Sequence, residues 1–338
     1  MSGPSAGAAP SDARRGARRE RLKQALFRGE NLRLADLQYR HFFWALVTLL
    51  LEAEWNPCDL TNVALVRAEQ EEAEILANER GVLGGIAETE WLFRQFGLRA
   101  EREKDDSDSF EAGETLLRIQ GSARSIFSLK RVGLNVLQRM SGIATATRKV
   151  HDAVQKRSAD TFVVATRKTP WGLLDKRAIE CGGGGTHRLG LGDAILIKTD
   201  HLMLHADREE EAIPSALRQA WPFRERAGFI EVEVTGKQGA VAAAETFQSL
   251  QRADGTSFPC LLLLDNVLPQ EVASIVALLR VRGVWDDVLV EASGAITETQ
   301  IEAYADCGVD ALSMGCLTDS CRALDLRLRL ESHPKRRQ

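Results

Sequence analysis

The segment Phe229–Asn266 reads FIEVEVTGKQGAVAAAETFQSLQRADGTSFPCLLLLDN, and it decides the fold class of the chain. It begins with the apolar, β-branched run FIEVEV and contains a second run, CLLLL, near its end. Residues 240–252 between these runs have helical periodicity. A strand, a helix and a second strand in this order predict a parallel β-α-β unit with a right-handed crossover.

The same alternation continues on both sides of this segment. Apolar runs recur as FVVA, AILI, VLVEA and ALSM at residues 162–165, 194–197, 288–292 and 311–314, and helical patterns cover residues 209–226, 270–282 and 298–307. Residues suited to chemistry follow almost every predicted strand. In a parallel barrel that edge is the mouth of the active site. An open doubly wound sheet also binds ligands there, but no G-x-G-x-x-G follows a first strand. The sequence therefore predicts a parallel α/β-barrel catalytic domain.

The preceding half of the chain predicts a smaller α+β sandwich domain. Helical patterns cover residues 15–27, 35–54 and 125–151, and residues 111–122 are typical of a strand pair or a strand with a turn. The expected boundaries are a mobile tail at 1–22, an N-terminal α+β domain at 23–130, the barrel at 131–318, and a C-terminal segment at 319–338 that returns to the N-terminal domain. The tail is expected because its start is rich in Ala, Gly, Ser, Pro and Arg.

Composition excludes several classes of function. The 44 Lys and Arg residues nearly balance 48 Asp and Glu, so no global positive field is available to hold nucleic acid. The six cysteines form no C-x-x-C pair and predict buried thiols in a reducing cytosol. The longest apolar run, Phe42 to Leu51, is about half of a membrane span. We expect a cytoplasmic protein without a nucleic-acid or membrane partner.

Cations concentrate around a four-glycine loop, in the segment TRKTPWGLLDKRAIECGGGGTHRLGLGDAILIKTDH from Thr166 to His201. Burying cations at strand ends is unfavourable unless an anion compensates them. Planar guanidinium groups and lysine point charges suit a ligand with two carboxylates and a phosphate. A ring of structural ion pairs with barrel carboxylates is the alternative. The residues concerned are Arg167, Lys168, His187, Arg188 and Lys198. His187 alone would more often be a core histidine, but its place beside Arg188 favours a hydrogen-bond donor to substrate.

Two carboxylates, Glu233 and Asp265, end neighbouring predicted strands. Placed together they repel each other, which favours a shared proton or a divalent cation. Oxygen ligands and a diphosphate favour magnesium over zinc. Two solvated carboxylates at a rim are the alternative. Glu231 should share a face with Glu233, but Glu233 lies nearer the end of the strand and is the better candidate.

Small residues follow the last two predicted strands, as Ser293-Gly294-Ala295 and Ser313-Met314-Gly315. Loops of this kind after the final barrel strands commonly hold a phosphate with their backbone N–H groups. The run Gly182–Gly185 is either a flexible linker or, as its position between two predicted strands favours, a place of close backbone approach to a ligand.

These motifs, taken in order, resemble the quinolinate phosphoribosyltransferases, also called carboxylating nicotinate-nucleotide pyrophosphorylases. The resemblance runs from about Leu46 to Leu330 and includes CDLT, LNVLQRMSGIAT, TRKT, GGGGTHRLGL, ILIKTDH, EVEV, LLLDN, EASGAIT and ALSMGCLT. It implies transfer of phosphoribosyl from phosphoribosyl pyrophosphate to quinolinate with loss of CO2, using Mg2+.

The resemblance also implies roles for single residues. It implies a homodimer in which Arg131, which spacing alone would leave as a surface residue, reaches the barrel of the neighbouring subunit. The pyridine dicarboxylate would be held by Arg131, Arg167, His187, Arg188 and Lys198. Lys168, Glu233 and Asp265 would act on the ribose, the diphosphate and magnesium. The 5-phosphate would lie against Ser293, Gly294, Ala295 and Gly315.

Several positions depart from the family pattern. Ala295 replaces a second glycine of the phosphate loop, Lys130 stands where the family usually has Glu, and Asp200 replaces an Asn. These departures leave two alternatives: a related transferase with another acceptor, and a catalytically weak ligand-binding paralogue. A Schiff-base aldolase using Lys168 or Lys198 is disfavoured, because no hydrophobic pocket accompanies the cations.

Overall fold

The computed structural model describes residues 12–55, 58–67 and 69–331. Within them the chain forms two compact units. The parallel-sheet unit contains the chain up to Arg28, Val150–Arg167 and Gly184–Cys316. The antiparallel-sheet unit contains Gly29–Lys149, Lys168–Gly183 and the chain from Leu317.

The helices and strands are numbered in chain order. The helices are α1 Asp12–Leu26, α2 Leu37–Trp55, α3 Leu60–Leu65, α4 Ile86–Gln95, α5 Ala123–Arg157, α6 Leu173–Cys181, α7 Thr199–Leu202, α8 Glu209–Ala220, α9 Lys237–Asp254, α10 Pro269–Val281, α11 Ile301–Ala305 and α12 Cys316–Asp319. The strands are β1 Gln70–Ala77, β2 Gly81–Val82, β3 Arg99–Arg102, β4 Ser109–Phe110, β5 Thr115–Ser122, β6 Phe162–Val164, β7 Ile195–Ile197, β8 Ile230–Val234, β9 Cys260–Asp265, β10 Leu289–Ser293, β11 Ala311–Ser313 and β12 Leu326–Leu330. Short 3-10 turns lie at Gly29–Asn31, Trp221–Arg226, Trp285–Asp287 and Glu298–Gln300.

The parallel-sheet unit is built on six strands in the order β6-β11-β10-β9-β8-β7. Each neighbouring pair is parallel, and helices α8 to α11 lie between the strands along the chain. The predicted strand at every apolar run is therefore present. Beyond β6, Gly185 continues the parallel pairing through a bridge to Val164. A parallel sheet with intervening helices agrees with the predicted α/β barrel.

Helix α1 belongs to this unit and corrects the expectation of a mobile tail at 1–22. Residues 12–22 lie in α1, and residues 1–11 lie outside the described part. Leu22, Ala25 and Leu26 are fully buried in a core cluster at the start of the parallel strands. Their i, i+3, i+4 spacing places them on one face of the helix, which buries enough apolar surface to order this segment. The strand residues of the cluster include Phe162, Leu261, Leu289 and Ala311.

The antiparallel-sheet unit contains a sheet of order β12-β1-β5-β3 and a small β2-β4 ladder. Strand β12, from the C-terminal segment, pairs antiparallel with β1, with Ile75 opposite Leu328. Helix α5 is 35 residues long. Its apolar positions Leu129, Leu137 and Met140 are buried, as their helical spacing predicts.

The division of the chain differs from the expected boundaries. A border between residues 130 and 131 would cut α5, which is one continuous helix that belongs to the antiparallel-sheet unit up to Lys149. The expectation of buried thiols fails for Cys58 and Cys316, which are exposed. Among the described residues, every helix is too short or too polar to cross a bilayer.

Candidate active site

Glu233 joins the carboxyl ends of two neighbouring strands in the parallel-sheet unit. It lies near the end of β8, and its Oε1 is 3.1 Å from Nζ of Lys198, which follows β7. Its Oε2 accepts a hydrogen bond of 3.0 Å from the backbone N–H of Thr199. Glu233 and Lys198 were both predicted as site residues. The structure places them together as an ion pair.

Two arginines of the predicted cation set, Arg167 and Arg188, belong to the parallel-sheet unit. Arg188 is buried, whereas Arg167 is exposed after β6. The pKa of the Arg188 guanidinium is lowered, first by burial and second by the charge of Arg167. The charges of Glu231, Asp193 and Glu233 act in the opposite direction. Two neighbouring guanidinium groups in a partly desolvated place repel each other, and a bound dianion would relieve that repulsion.

His187, Glu231 and Glu291 form a buried cluster beneath this edge of the sheet. Nε2 of His187 lies 3.1 Å from Oε2 of Glu231 and 3.5 Å from Oε2 of Glu291. Burial raises the pKa of the Glu231 carboxyl to about 8. The two glutamates come from β8 and β10 and share one histidine. The predicted role of His187 was donation to substrate, but in this structure Nε2 faces the two carboxylates.

An ion pair fixes the loop that follows Arg188. Asp193 Oδ1 is 2.7 Å from an Nη atom of Arg28, and its Oδ2 accepts a hydrogen bond of 2.8 Å from the N–H of Leu189. Arg28 is the second residue after the end of α1, and Phe27 lies between them in the chain. The loop from Leu189 to Asp193 is therefore fastened at both ends beside the predicted cation site.

The predicted phosphate loop packs against the end of β9. Ser293 pairs in register with Asp265, and the N–H of Asn266 donates to the carbonyl of Ser293 at 3.0 Å. Gly294 has φ +100°, and a Cβ added there would lie 2.3 Å from Oδ1 of Asn266, so only glycine fits. Ala295 has φ +42°, the conformation that we expected to be costly for a residue with a methyl group.

The second phosphate loop lies beside the first, because β10 pairs with β11. Ser313 is buried, and its Oγ makes no hydrogen bond within the described residues. The next residue, Met314, donates its N–H to the carbonyl of Val164 at 3.2 Å. Gly315 is half-buried at the end of this loop.

Two predicted residues belong to the antiparallel-sheet unit. Lys168 is exposed, and its carbonyl accepts a hydrogen bond of 2.7 Å from Oγ1 of Thr318. Arg131 is exposed on α5. The predicted residues found in the parallel-sheet unit are Arg167, His187, Arg188, Lys198, Glu233, Asp265, Ser293, Gly294, Ala295 and Gly315.

At Gly185, the last residue of the glycine run, packing within the protein explains the glycine. Gly185 exchanges backbone hydrogen bonds with β6, donating to Val163 and accepting from Ala165, both at 2.8 Å. An added Cβ would lie 2.8 Å from Cγ1 of Val164 and 2.9 Å from the carbonyl oxygen of Leu26. Packing within the protein, rather than approach to a ligand, therefore requires glycine at this position.

Sequence reasoning missed Glu291, Arg28, Asp193 and Thr199. A signal existed for Glu291, because it is an acid in the middle of the apolar run VLVEA, where burial demands a partner. The other three act through contacts that no local pattern encodes.

Comparison with known protein families shows to which family the chain belongs. The family model "Quinolinate phosphoribosyl transferase, C-terminal domain" matches residues 143–329, and its N-terminal counterpart matches residues 59–141. The chain belongs to the quinolinate phosphoribosyltransferase family. The first match covers the six strands of the parallel sheet, and the second covers most of the antiparallel one.

Members of this family in other organisms are similar over most of the chain. A probable carboxylating nicotinate-nucleotide pyrophosphorylase of Methanothermobacter thermautotrophicus is 37% identical over 278 residues, covering 80% of this chain and 93% of that protein. The one from Archaeoglobus fulgidus is 33% identical over 271 residues, covering 80% and 98%. The nicotinate-nucleotide pyrophosphorylase structure from Francisella tularensis aligns with a TM-score of 0.74 at 27% identity, covering 86% of this chain and 96% of that one.

Proposed function

We propose that the protein transfers the phosphoribosyl group of phosphoribosyl pyrophosphate to quinolinate, and releases pyrophosphate, CO2 and nicotinate mononucleotide. The observation that carries this proposal is the concentration of positive charge around Glu233: Lys198 forms an ion pair with Glu233, and buried Arg188 feels the charges of both Arg167 and Glu233. A pyridine dicarboxylate carries two negative charges, which guanidinium and ammonium groups bind through charge-assisted hydrogen bonds. Family membership supports the same substrate.

The chemistry follows from holding the two reactants in one orientation. The pyridine nitrogen attacks C1 of the ribose as the bond to pyrophosphate breaks, and orientation by the protein supplies much of the acceleration. The pyridinium ring then accepts the electron pair left when the C2 carboxylate departs as CO2, and C2 takes up a proton. Strong pairing of the C2 carboxylate would oppose its loss, so the cations should hold the C3 carboxylate more tightly.

Glu233 and Asp265 would hold Mg2+ together with the diphosphate. The fit rests on the register of β8 and β9: Glu233 pairs with Leu263, so Asp265 lies two residues further along the same face of the neighbouring strand. Both supply carboxylate oxygens, the ligands that magnesium prefers. Magnesium supplies charge that stabilises the departing pyrophosphate. Lys198 beside Glu233 adds a further positive charge at this edge.

We propose that the protein is a homodimer in which Arg131 of one subunit completes the quinolinate site of the other. The family resemblance and the exposure of Arg131 on α5 support this proposal. Lys168 would contact the ribose or the diphosphate.

The test is an assay of purified protein with quinolinate, phosphoribosyl pyrophosphate and Mg2+. We expect equal amounts of pyrophosphate and of CO2 from the C2 carboxyl, with nicotinate inactive as the acceptor. Arg188→Lys keeps the charge but removes the planar fork, and should raise the KM for quinolinate. Absence of both products with folded protein would refute the proposal. Release of pyrophosphate without CO2 would mean hydrolysis of phosphoribosyl pyrophosphate or transfer without decarboxylation, and would also refute it. Pyrophosphate release only when another acceptor replaces quinolinate would indicate a related transferase.

A further inference from the structure

The turn at His187 is an unusual piece of backbone. His187 has φ +53°, a conformation that residues other than glycine rarely adopt. Its N–H donates to the carbonyl of Leu26 at 2.8 Å, and its carbonyl accepts from Oγ1 of Thr186 at 3.1 Å. The ring packs edge-on against Phe229, with centroids 5.3 Å apart. The surrounding structure therefore holds this turn from several sides.

The ring nitrogens of His187 have distinct partners. Nδ1 accepts a hydrogen bond of 2.7 Å from the backbone N–H of Arg188, so this nitrogen carries no proton. In a neutral ring the proton is then on Nε2, which faces Glu231 and Glu291 at 3.1 Å and 3.5 Å. Within the described residues, the oxygens of Glu231 form no hydrogen bond of ordinary geometry. The contact between Glu231 and His187 is therefore a close polar contact, with 3.1 Å between Oε2 and Nε2.

The same tautomer argues against a metal ion in this cluster. One ligand atom from each of the three residues lies within 4.8 Å of the other two, which is close enough for a shared ion. A histidine that binds a metal usually donates a hydrogen bond from its other nitrogen. Here the other nitrogen accepts one, so Nε2 has no lone pair to offer.

We infer that Glu231 and Glu291 position the ring of His187, and that this ring fixes the turn that presents Arg188 to the substrate. The inference rests on the proposed role of Arg188 in holding a quinolinate carboxylate. The chain of contacts runs from two strands of the sheet to the ring, and from Nδ1 of the ring to the backbone of Arg188 itself. Glu231 and Glu291 are positioning residues. Their effect on turnover passes through Arg188.

Replacement of Glu231 tests this chain of contacts. Glu231→Leu keeps the volume but removes the acceptor, and we expect the KM for quinolinate to rise about tenfold while the KM for phosphoribosyl pyrophosphate changes less than about twofold. Glu231→Gln keeps an acceptor oxygen and should restore most of the lost affinity. Glu88→Leu, a matched change at a buried glutamate of the other unit, should lower the melting temperature of the protein without raising the KM for quinolinate.

A double-mutant cycle separates positioning from an independent role. In the Arg188→Lys background, Glu231→Leu should add far less than its effect in the wild type, because the side chain it positions is already altered. Full additivity would overturn the inference, since Glu231 would then act without Arg188. The inference would also be contradicted if Glu231→Leu raised the KM of both substrates and reduced the amount of folded protein, and if Glu231→Gln did not reverse these effects.

Nitrogen-15 NMR of the histidine rings provides a test that needs no activity. We expect His187, assigned by its absence in His187→Gln, to have an unprotonated Nδ1 and a protonated Nε2. The opposite tautomer, a doubly protonated ring, or one equivalent of tightly bound metal that is lost in Glu231→Leu would overturn the inference. If the protein lacks transferase activity but shows the expected tautomer, the proposed function fails while the ring geometry stands.

Discussion

At the scale of single residues, backbone strain in the parallel-sheet unit collects at the candidate site. Among the described residues other than glycine, positive φ occurs at Ser107, His187, Asn266 and Ala295. The last three follow strand ends or the bridge beside β6. Such strain is maintained only where surrounding contacts determine the conformation, as the hydrogen bond from Asn266 to Ser293 does here.

Ala295→Gly should relieve part of this strain. The alanine at φ +42° costs about 1–2 kcal/mol in this region, and glycine costs nothing comparable. We expect a more stable protein and, where the strain opposes the ligand-bound loop, up to about tenfold tighter binding of phosphoribosyl pyrophosphate. Chemical denaturation and the KM for this substrate measure the two effects. Ala303→Gly, on the exposed side of α11, is the control and should destabilise by about 1 kcal/mol. A loss of stability in Ala295→Gly would contradict the argument.

Glu88 should make stability depend on pH. Burial and the charge of Asp106 raise the pKa of the Glu88 carboxyl from 4.5 to about 7, although Arg177 and the hydroxyl of Tyr39 oppose the shift. The pKa of Glu88 is higher in the folded state than in the unfolded state, so the protonated carboxyl stabilises the fold. This contribution to the free energy of unfolding is fully present below about pH 4.5 and is lost as pH rises through about 7.

Glu88→Gln should remove this dependence. Between pH 5 and pH 8 the wild type should lose up to about 3 kcal/mol of unfolding free energy relative to the variant, as measured by urea unfolding. Glu52→Gln, on the exposed side of α2, should follow the wild type at every pH. Parallel curves for wild type and Glu88→Gln would show that Glu88 does not titrate in this range.

At the scale of elements, α1 completes the core of the parallel-sheet unit. Arg18 pairs with Asp310 through two hydrogen bonds of 2.5 and 2.6 Å and stacks 3.7 Å from the ring centre of Trp285. Asp310 in turn accepts the N–H of Val290 in β10 at 2.7 Å. The helix is thereby attached to the sheet by charge as well as by its apolar face.

Leu22→Ala should therefore destabilise the protein strongly. Deletion of a fully buried leucine side chain usually costs about 2–5 kcal/mol, because a cavity remains. Val281→Ala, at the exposed end of α10, is the matched control and should change stability by less than about 0.5 kcal/mol. Thermal and urea unfolding measure both. An effect of Leu22→Ala as small as that of the control would mean that α1 is detached in solution.

The local sequence pattern predicts most of the helices and strands, but it predicts few of the contacts between them. The apolar runs predicted every strand of the parallel sheet, because such runs suit buried parallel strands. The order and disposition of Glu233, Asp265 and Ser293 at strand ends followed from parallel topology. Helical periodicity predicted α1 over residues 15–27, but composition misled about residues 12–22, which were expected to belong to a mobile tail. The pairing of His187 with Glu291 was beyond prediction, because it depends on how separate segments meet inside the folded unit.

At the scale of the whole molecule, the proposal that two subunits share each active site leads to a quantitative prediction. If Arg131 serves the neighbouring subunit, co-expressed Arg131→Ala and Arg188→Ala chains form mixed dimers in which one site carries both changes and the other carries neither. Random pairing should then restore about a quarter of the wild-type activity, although each variant alone is nearly inactive. A single chain carrying both changes is the control and should stay inactive. No recovery in the mixed dimers would place Arg131 in the site of its own subunit or outside any site.

The long sequence separation between Arg18 and Asp310 affects how the protein emerges from the ribosome. Helix α1 is synthesised before the strands that cover Leu22 and Leu26, which are released only as translation advances toward Ala311. Until then its apolar face is exposed to other nascent chains and to chaperones. Because closure of the core awaits this distant pairing, we expect the position of one helix to slow the folding of the whole unit.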